Sequence, residues 1–453
     1  MKIRKYLAVV MGVATLSAPP AAQAETLVDA LTHAYNHSGL LEQNRALLRA
    51  ADEDVAIALS ATRPVVNWSA SANYSNPRPP GADLVTENIA ISGQLTLYDG
   101  GANQLAVEAQ KEIVLATRQT LLNVEQQVLF RAVQAYMNVR RNVEFVALRE
   151  SNVRLITQEL RAAQDRFEVG EVTRTDVSLA EARLAAARSL LAAAQGNLAQ
   201  SAEEYRAAVG RSPNQPSPVS PAPVSRSVGE AKAYAVRNHP SILEVRHSVA
   251  AAELNIKRSE AATQPTITLG AQIALDGDFD DSRSFNLTAS GPIYAGGRLA
   301  AQTRQLMARR DATRAGLHIT RHNLEQQVGN AYANLQVARA SRQASDQQTR
   351  AATVAFRGVR EEASLGSRTT LDVLNAEQEL LDARTNTVSA QADEVMASYS
   401  VLSSMGLLTA DHLRLPVQQY DPTEYYNLVK DSPAGLSAQG RALDRVLEAI
   451  GQN

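Results

Sequence analysis

The chain has 453 residues, 45 of them basic and 47 acidic, a formal net charge of −2 and 4% aromatic residues. This balance offers no basic surface for nucleic acid, and the absence of cysteine excludes thiolate metal sites, a cysteine nucleophile, a disulfide framework and a lipidated N-terminal cysteine. Few aromatics beside abundant Ala, Leu, Gln, Arg and Glu favour long helices over an ordinary mixed globule.

Residues 1–24 read as a secretory signal. Lys2, Arg4 and Lys5 form a positive start, Leu7 to Ala18 is a short apolar run, and Ala22-Gln23-Ala24 is a small-residue cleavage site before Glu25. The run is too short to span a bilayer. Removing its three basic residues takes the charge from −2 to −5. No other segment approaches about 18 consecutive apolar residues, so no transmembrane helix is expected.

After a short helical start the hydrophobic period shifts from 3.6 to 2. Val66, Trp68, Ala70, Ala72 and Tyr74 alternate with Asn67, Ser69, Ser71 and Asn73. Ile89, Ile91, Gly93, Leu95 and Leu97 alternate with Ala90, Ser92, Gln94 and Thr96. These are two strands of about ten residues, joined through the proline-rich stretch Asn76 to Gly81. The window 102–209 then contains no proline, the residue that breaks helix interiors. Its one break is Val169-Gly170-Glu171-Val172-Thr173, which leaves a helical hairpin with arms of about 65 and 35 residues. The long arm reaches about 95 Å, so it must lie in a bundle or coiled coil. Pro213 to Pro223 is a Pro/Ser-rich linker.

The same programme then recurs. Ile267, Leu269, Ala271, Ile273 and Leu275 alternate with polar or small residues, as do Phe285, Leu287, Ala289 and Ile293. A second window without proline, 298–405, breaks at Leu365-Gly366-Ser367-Arg368-Thr369. A shift of 196 lays Gly170 on Gly366, Asp176-Val177 on Asp372-Val373, Ala180-Glu181 on Ala376-Glu377 and Gly210 on Gly406. Upstream the best shift is 201, pairing Ala30, Arg45 and Pro64 with Ala231, Arg246 and Pro265. Such self-similarity implies a duplicated supersecondary unit. The expected organisation is a signal over 1–24, a first repeat over 25–210, a linker over 211–226, a second repeat over 227–410 and a tail over 411–453. The tail is expected to wrap around the middle of the long helices, its last dozen residues lacking fixed structure.

Four strands of this length, each with one apolar and one small polar face, suit a transmembrane barrel with lipid outside and water inside. Trp68, Tyr74, Tyr98 and Tyr294 are candidates for its aromatic girdles. Four strands cannot close a barrel, and lipid forbids an open edge. The barrel must be shared between chains: two copies give eight strands around a filled interior, three give twelve around a pore.

The order and duplication of helix, strand, loop, strand, Tyr-x-Gly-Gly, long helix, Val/Leu-Gly turn and Thr-x-x-Asp-Val helix resemble the TolC family of outer-membrane efflux and secretion channels, over about residues 25–410. The absence of cysteine places the chain with the non-lipidated members. The resemblance implies an α+β membrane protein: a homotrimeric twelve-stranded β-barrel, four strands per chain, continuous with a long periplasmic α-helical barrel built by internal duplication. It implies an exit duct of a tripartite efflux pump or type I secretion system, set in outer-membrane lipid and reaching into the periplasm. Its implied partners are two further copies, a periplasmic adaptor (membrane fusion) protein and an inner-membrane transporter of the RND or ABC type. By the same resemblance, Asp372 matches the acidic ring at the pore constriction, where a second family acid is here Asn375. Arg368, Thr175 and Asp176 match residues that lock the tip shut, and the tyrosine of that lock is replaced by Ala363. Val169 and Gly170, with Leu365, Gly366 and Ser367, match the adaptor-docking turns.

The residues themselves support a tunnel. Leu184, Leu191 and Leu198 recur at seven in an alanine-rich stretch, which favours left-handed supercoiling of closely approaching helices. A periplasmic structural or adaptor coiled coil is the alternative, and it leaves the four strands unexplained. Catalytic chemistry is not expected. His33 with His37 and His318 with His322 are spaced i,i+4 but lack a completing carboxylate. Asp276, Asp278, Asp280 and Asp281 lack the glycine and glutamate of a calcium loop. There is no phosphate loop, nucleophile elbow or paired catalytic acid, and no cofactor is expected.

Overall fold

The computed structural model describes residues 24–77, 84–278, 280–431, 435 and 437–451. The signal expected over residues 1–24 therefore lies, apart from Ala24, outside the described residues, as does Gly81 of the first strand connection.

The first half runs α1 (Leu27–His37), α2 (Gly39–Ser60), β1 (Val65–Tyr74), β2 (Val85–Tyr98), α3 (Ala102–Glu168) and α4 (Arg174–Val209). The second repeats it as α5 (Val228–Asn238), α6 (Pro240–Ala261), β3 (Thr266–Asp276), β4 (Asp281–Ser290), α7 (Arg298–Ser364) and α8 (Thr370–Ser404). Two short helices follow, α9 (Pro422–Val429) and α10 (Ala438–Gly451). Each half begins with a capping box, Thr26 with Asp29 and Ser227 with Glu230, which satisfies two orphan N–H groups at the helix start. α3 and α7 each run 67 residues, about 100 Å. Their partners α4 and α8 run 36 and 35. The windows without proline are thus helical except at their single breaks, where expected.

α4 and α2 lie in tandem along α3, and α8 and α6 in tandem along α7 and α3. The end of α4 abuts the α1–α2 corner, with Gly210 against His37, and the end of α8 abuts the start of α6, with Gly406 against His239 and Pro240. The main core sits at this belt. Leu129, Val133 and Tyr136 of α3 pack with Leu31, Leu41, Leu48, Val328, Leu335, Val401 and Leu408. Toward the hairpin tips burial dwindles to two clusters, Ile156, Leu184, Ala187 and Leu374, and Phe356, Ala363, Val373 and Leu380. A buried large apolar side chain contributes roughly 1.5–3 kcal/mol, so the belt is anchored and the tips are weakly held.

The four strands form one antiparallel sheet in the order β1-β2-β3-β4. Direct cross-strand partners share a face. Trp68, Ile91 and Ile273 align, as do Ala70, Ile89 and Leu275; Gly93, Ala271 and Phe285 follow, then Leu95, Leu269 and Leu287. The opposite face carries the rows Asn67, Ser92, Gln272 and Ser284, and Thr96, Thr268 and Thr288. Ten residues at about 3.3 Å each, tilted about 45°, rise roughly 23 Å, close to the apolar band of an outer-membrane barrel. Tyr74 ends β1 at the loop side and Tyr98 ends β2 at the helix side, as girdles require, whereas Trp68 lies three residues inside β1. Within the chain β1 and β4 each keep a free edge. β4 stops at Ser290 rather than reaching Ile293, because Gly291-Pro292 follows and proline has no N–H for the ladder.

The Pro/Ser-rich linker is tied down by hydrogen bonds. Glu25 N donates to Gln215 O, Ser217 N to Glu25 O and Ala222 N to Ser398 Oγ, while Tyr136 Oη donates to Glu25 O at 2.7 Å. In the tail, whose last dozen residues were expected to lack fixed structure, Ala438–Gly451 forms the helix α10. Its Leu443 is buried with Tyr425 and Val429 of α9, and Tyr425 Oη donates to Glu53 of α2 at 2.6 Å. The apolar spacing Leu443, Val446, Leu447 provides the helical face.

Candidate functional site: the hairpin tips

Each tip is built by a glycine and a capped helix. At the first, Gly170 has φ 81°, a conformation that only glycine adopts freely. Gly170 N and Glu171 N close the end of α3 on Phe167 O and Arg166 O, a Schellman arrangement. At the second, Gly366 has φ 78°, and Gly366 N and Ser367 N donate to Ala363 O and Glu362 O. Ser367 Oγ also donates to Glu362 O at 2.8 Å. Both turns end in apolar side chains pushed into solvent, Val169 at 71% and Leu365 at 84% exposure. The five residues expected to form docking turns therefore lie at the extreme ends of the hairpins.

Asp176 and Asp372 occupy equivalent places, each three residues into its helix. Thr173 N and Oγ1 donate to Asp176 Oδ2 at 2.9 and 2.7 Å. Thr369 N and Oγ1 donate to Asp372 Oδ2 at 3.0 and 2.8 Å, and Asp372 N returns a bond to Thr369 Oγ1. The Thr173 bonds hold the Asp176 carboxyl below the ordinary range, and the bond from Thr369 N does most to hold Asp372 there. Both are ionised at neutral pH. Asp372 is half-buried, and among the described residues its Oδ1 accepts no hydrogen bond, which leaves it able to present charge. Asn375, in place of a second acid, accepts from Arg183 of α4 at 3.3 Å.

The lock residues are brought near each other but not joined. Arg368 and Asp176 border one open cleft of about 590 Å3, together with Arg166, Thr173, Ala363 and Thr369. Within this chain Arg368 Nε donates to Glu362 Oε2 at 2.8 Å. Among the described residues it makes no hydrogen bond to Thr175 or Asp176. Within the chain, Glu362, six residues back on the same hairpin, takes the guanidinium instead. Ala363, where the family lock has tyrosine, is buried beside Phe356 and Val373 and presents no hydroxyl to the cleft.

Sequence reading missed Glu377. It is buried on α8, with Oε1 accepting 2.7 Å from Asn152 Nδ2 of α3. The signal was present: Glu377 falls in register with the buried Val373, Leu374, Leu380 and Leu381, at a position that should be apolar. It also missed Glu394, whose carboxylate takes Arg342 of α7 at 2.7 Å. Elsewhere, Arg211 Nη1 lies 2.7 Å from His33 Nε2, and Asp276 Oδ1 accepts the backbone N–H of Asp278 and Asp280. No cluster of three His, Asp or Glu side chains that can hold a metal forms among the described residues. No described helix is long and apolar enough to cross a membrane.

Comparison with known proteins follows the duplicated plan. The family model described as outer membrane efflux protein matches residues 31–211 and again 234–407. The outer membrane efflux protein BepC of Brucella suis biovar 1 is 39% identical over 426 residues, covering 92% of this chain and 93% of that protein. The outer membrane protein TolC of Escherichia coli K12 is 23% identical over 439 residues, 91% of this chain and 88% of that protein. Among solved structures, the CmeC outer membrane channel of Campylobacter jejuni superposes with a TM-score of 0.76 at 14% identity, covering 90% of this chain and 89% of that one.

Proposed function

The chain belongs to the outer membrane efflux protein family, and from that premise we propose that three copies assemble into one passive duct, closed at rest by its periplasmic tip. As a member of that family the protein is an outer-membrane channel, the exit path of an efflux or secretion system, with its helices in the periplasm. The observation that carries the trimer is the sheet: four strands, one face mostly apolar with Glu87, Asp281 and Arg283 toward its loop end, the other mostly Ser, Thr, Asn, Gln and small residues, with both edges free within the chain. Lipid tolerates no free edge. Three sheets joined edge to edge make twelve strands, wide enough for water, and the paired helices below continue the wall.

In this reading the chain carries no catalytic step, and energy comes from an inner-membrane transporter of the RND or ABC type. Three Asp372 carboxylates around one axis concentrate negative potential in a narrow space and select cations. Arg368 of one copy exchanges Glu362 for Thr175 and Asp176 of the next, a planar fork against a carboxylate, and holds the tip shut. The exposed Val169 and Leu365, with Gly170, Gly366 and Ser367, give a periplasmic adaptor an apolar edge on which to dock.

The test is the detergent-purified protein, weighed by native mass spectrometry and recorded in planar bilayers. We expect a mass of three chains and small, cation-selective conductance, with Asp372→Ala losing the cation preference. A monomer without conductance contradicts the duct, and conductance whose selectivity survives Asp372→Ala removes Asp372 from the pore.

A further inference from the structure

Glu377 lies five residues beyond Asp372, on the seam between the two hairpins of the chain. It is 5% exposed and stands between the two small clusters of the tip region: Leu374 below it packs with Ile156 and Leu184 of α3 and α4, and Val373 and Leu380 pack with Phe356 of α7. Its Oε1 takes a single neutral donor, Asn152 Nδ2 of α3, itself buried. Its Oε2 is enclosed and, among the described residues, has no hydrogen-bond partner. The carboxylate borders a cleft of about 270 Å3 between α3, α7 and α8. Facing groups are Arg357 and Arg360 from α7, Arg384 from α8 and Glu159 from α3. Arg360 is drawn to Glu159, 3.8 Å away, and among the described residues no arginine forms an ion pair with Glu377. A charge enclosed with one neutral partner is costly, and a neutral acid in the same place is not.

We propose that Glu377 is a proton-binding positioning residue of the tip: protonated, it lets α8 close against α3, and ionised, it loosens that seam and favours opening. The inference rests on the reading of the chain as a gated duct. Burial pushes the Glu377 carboxyl up to about 7, against the opposing effect of its Asn152 bond and of Arg360. When the seam opens to water the group returns toward the ordinary range near 4.5. The packed seam therefore binds the proton more tightly than the open one. Its advantage is complete below about pH 4.5, falls as pH rises toward 7, and is constant above that. The ratio of open to closed seams rises across this window by up to about two orders of magnitude. Asp372 does not compete for the effect, because its Thr369 bonds hold it below the ordinary range and it stays ionised throughout.

The experiment compares the trimer of the full mature chain with its Glu377→Gln variant, which keeps an oxygen for Asn152 but binds no proton. In planar bilayers between pH 4.5 and 8.5, wild-type mean conductance should climb severalfold or more up to about pH 7 and then level. Glu377→Gln should stay low and flat. A second readout does not depend on conductance. Thermal unfolding of the same two proteins should show the variant gaining stability over wild type at pH 8, and gaining little at pH 5. Superimposable pH profiles for the two proteins, or a stability difference equal at both pH values, overturn the role given to Glu377. Absence of conductance from both proteins at every pH instead counts against the duct, and unfolding then decides the Glu377 proposal alone.

Discussion

Gly366 and Gly406 share the same backbone conformation, φ 78°, yet a methyl group meets different surroundings at each. At Gly366 a Cβ has nothing within 4 Å, so Gly366→Ala costs only the left-handed strain, about 1–2 kcal/mol. At Gly406 it falls 2.9 Å from Pro240 Cδ and 3.3 Å from the His239 backbone, atoms that cannot swing aside. The α8–α6 joint must then shift, adding about 1–3 kcal/mol. Gly406→Ala should lower the thermal unfolding midpoint in detergent clearly more than Gly366→Ala; equal shifts would mean the joint is loosely packed. Gly366 was legible as the break inside a helical window and Gly406 as the residue just past its end, because proline and glycine punctuate a sequence directly. Asp176 and Asp372 were legible too, though the partner each takes inside its own turn, Thr173 or Thr369, was not read. The bond of Arg368 to Glu362 within its own tip was not read, since no spacing rule points from Arg368 to an acid six residues back. Glu377 escaped notice because a glutamate beside Gln378 and Glu379 looks solvated until another helix covers it.

At the scale of elements, alternation settled the strands and their faces. A period of two fixes which side chains share a face, and the four-stranded register sets the apolar rows in line. The end of β4 was misplaced by three residues, since Ile293 continues the alternation but Pro292 interrupts the ladder. The faces make a sharp prediction. Leu287 lies on the apolar row with Leu95 and Leu269, and its neighbour Thr288 on the polar row with Thr96 and Thr268. A lysine facing lipid near the midplane costs about 2–4 kcal/mol, and less near the interface, while one facing the lumen is solvated. Leu287→Lys should therefore reduce the heat-resistant trimer recovered from outer membranes, and Thr288→Lys should leave it near wild type while altering selectivity. The reverse order would put lipid on the Ser/Thr face. The lengths of the long helices were legible for a similar reason: neither window holds a proline, and each has a single glycine set among turn residues, Gly170 or Gly366.

Across the whole molecule, duplication explains why one chain has two hairpins, two pairs of short helices and a sheet of two halves. The belt is heavily packed and tied to the linker through Tyr136, Glu25 and Ser217, while the tips rest on two small clusters. Firm anchoring at the belt with weak packing at the tip is what a duct that opens only at its end requires. The packing of the tail was not legible, since its contacts to α2 are long-range and no repeat announces them. The central claim is topological: strand loops outside the cell, and hairpin tips in the periplasm, about 100 Å beyond the helix-side end of the sheet. Because the chain has no cysteine, a single introduced thiol reports its own position without background. We would place one at Asp278→Cys, in the exposed β3–β4 connection, and one at Glu171→Cys, in the exposed first tip, and treat intact cells with a membrane-impermeant thiol reagent. Labelling at 278 and none at 171 until the outer membrane is permeabilised is the expected result; labelling at 171 with protection at 278 would contradict the account.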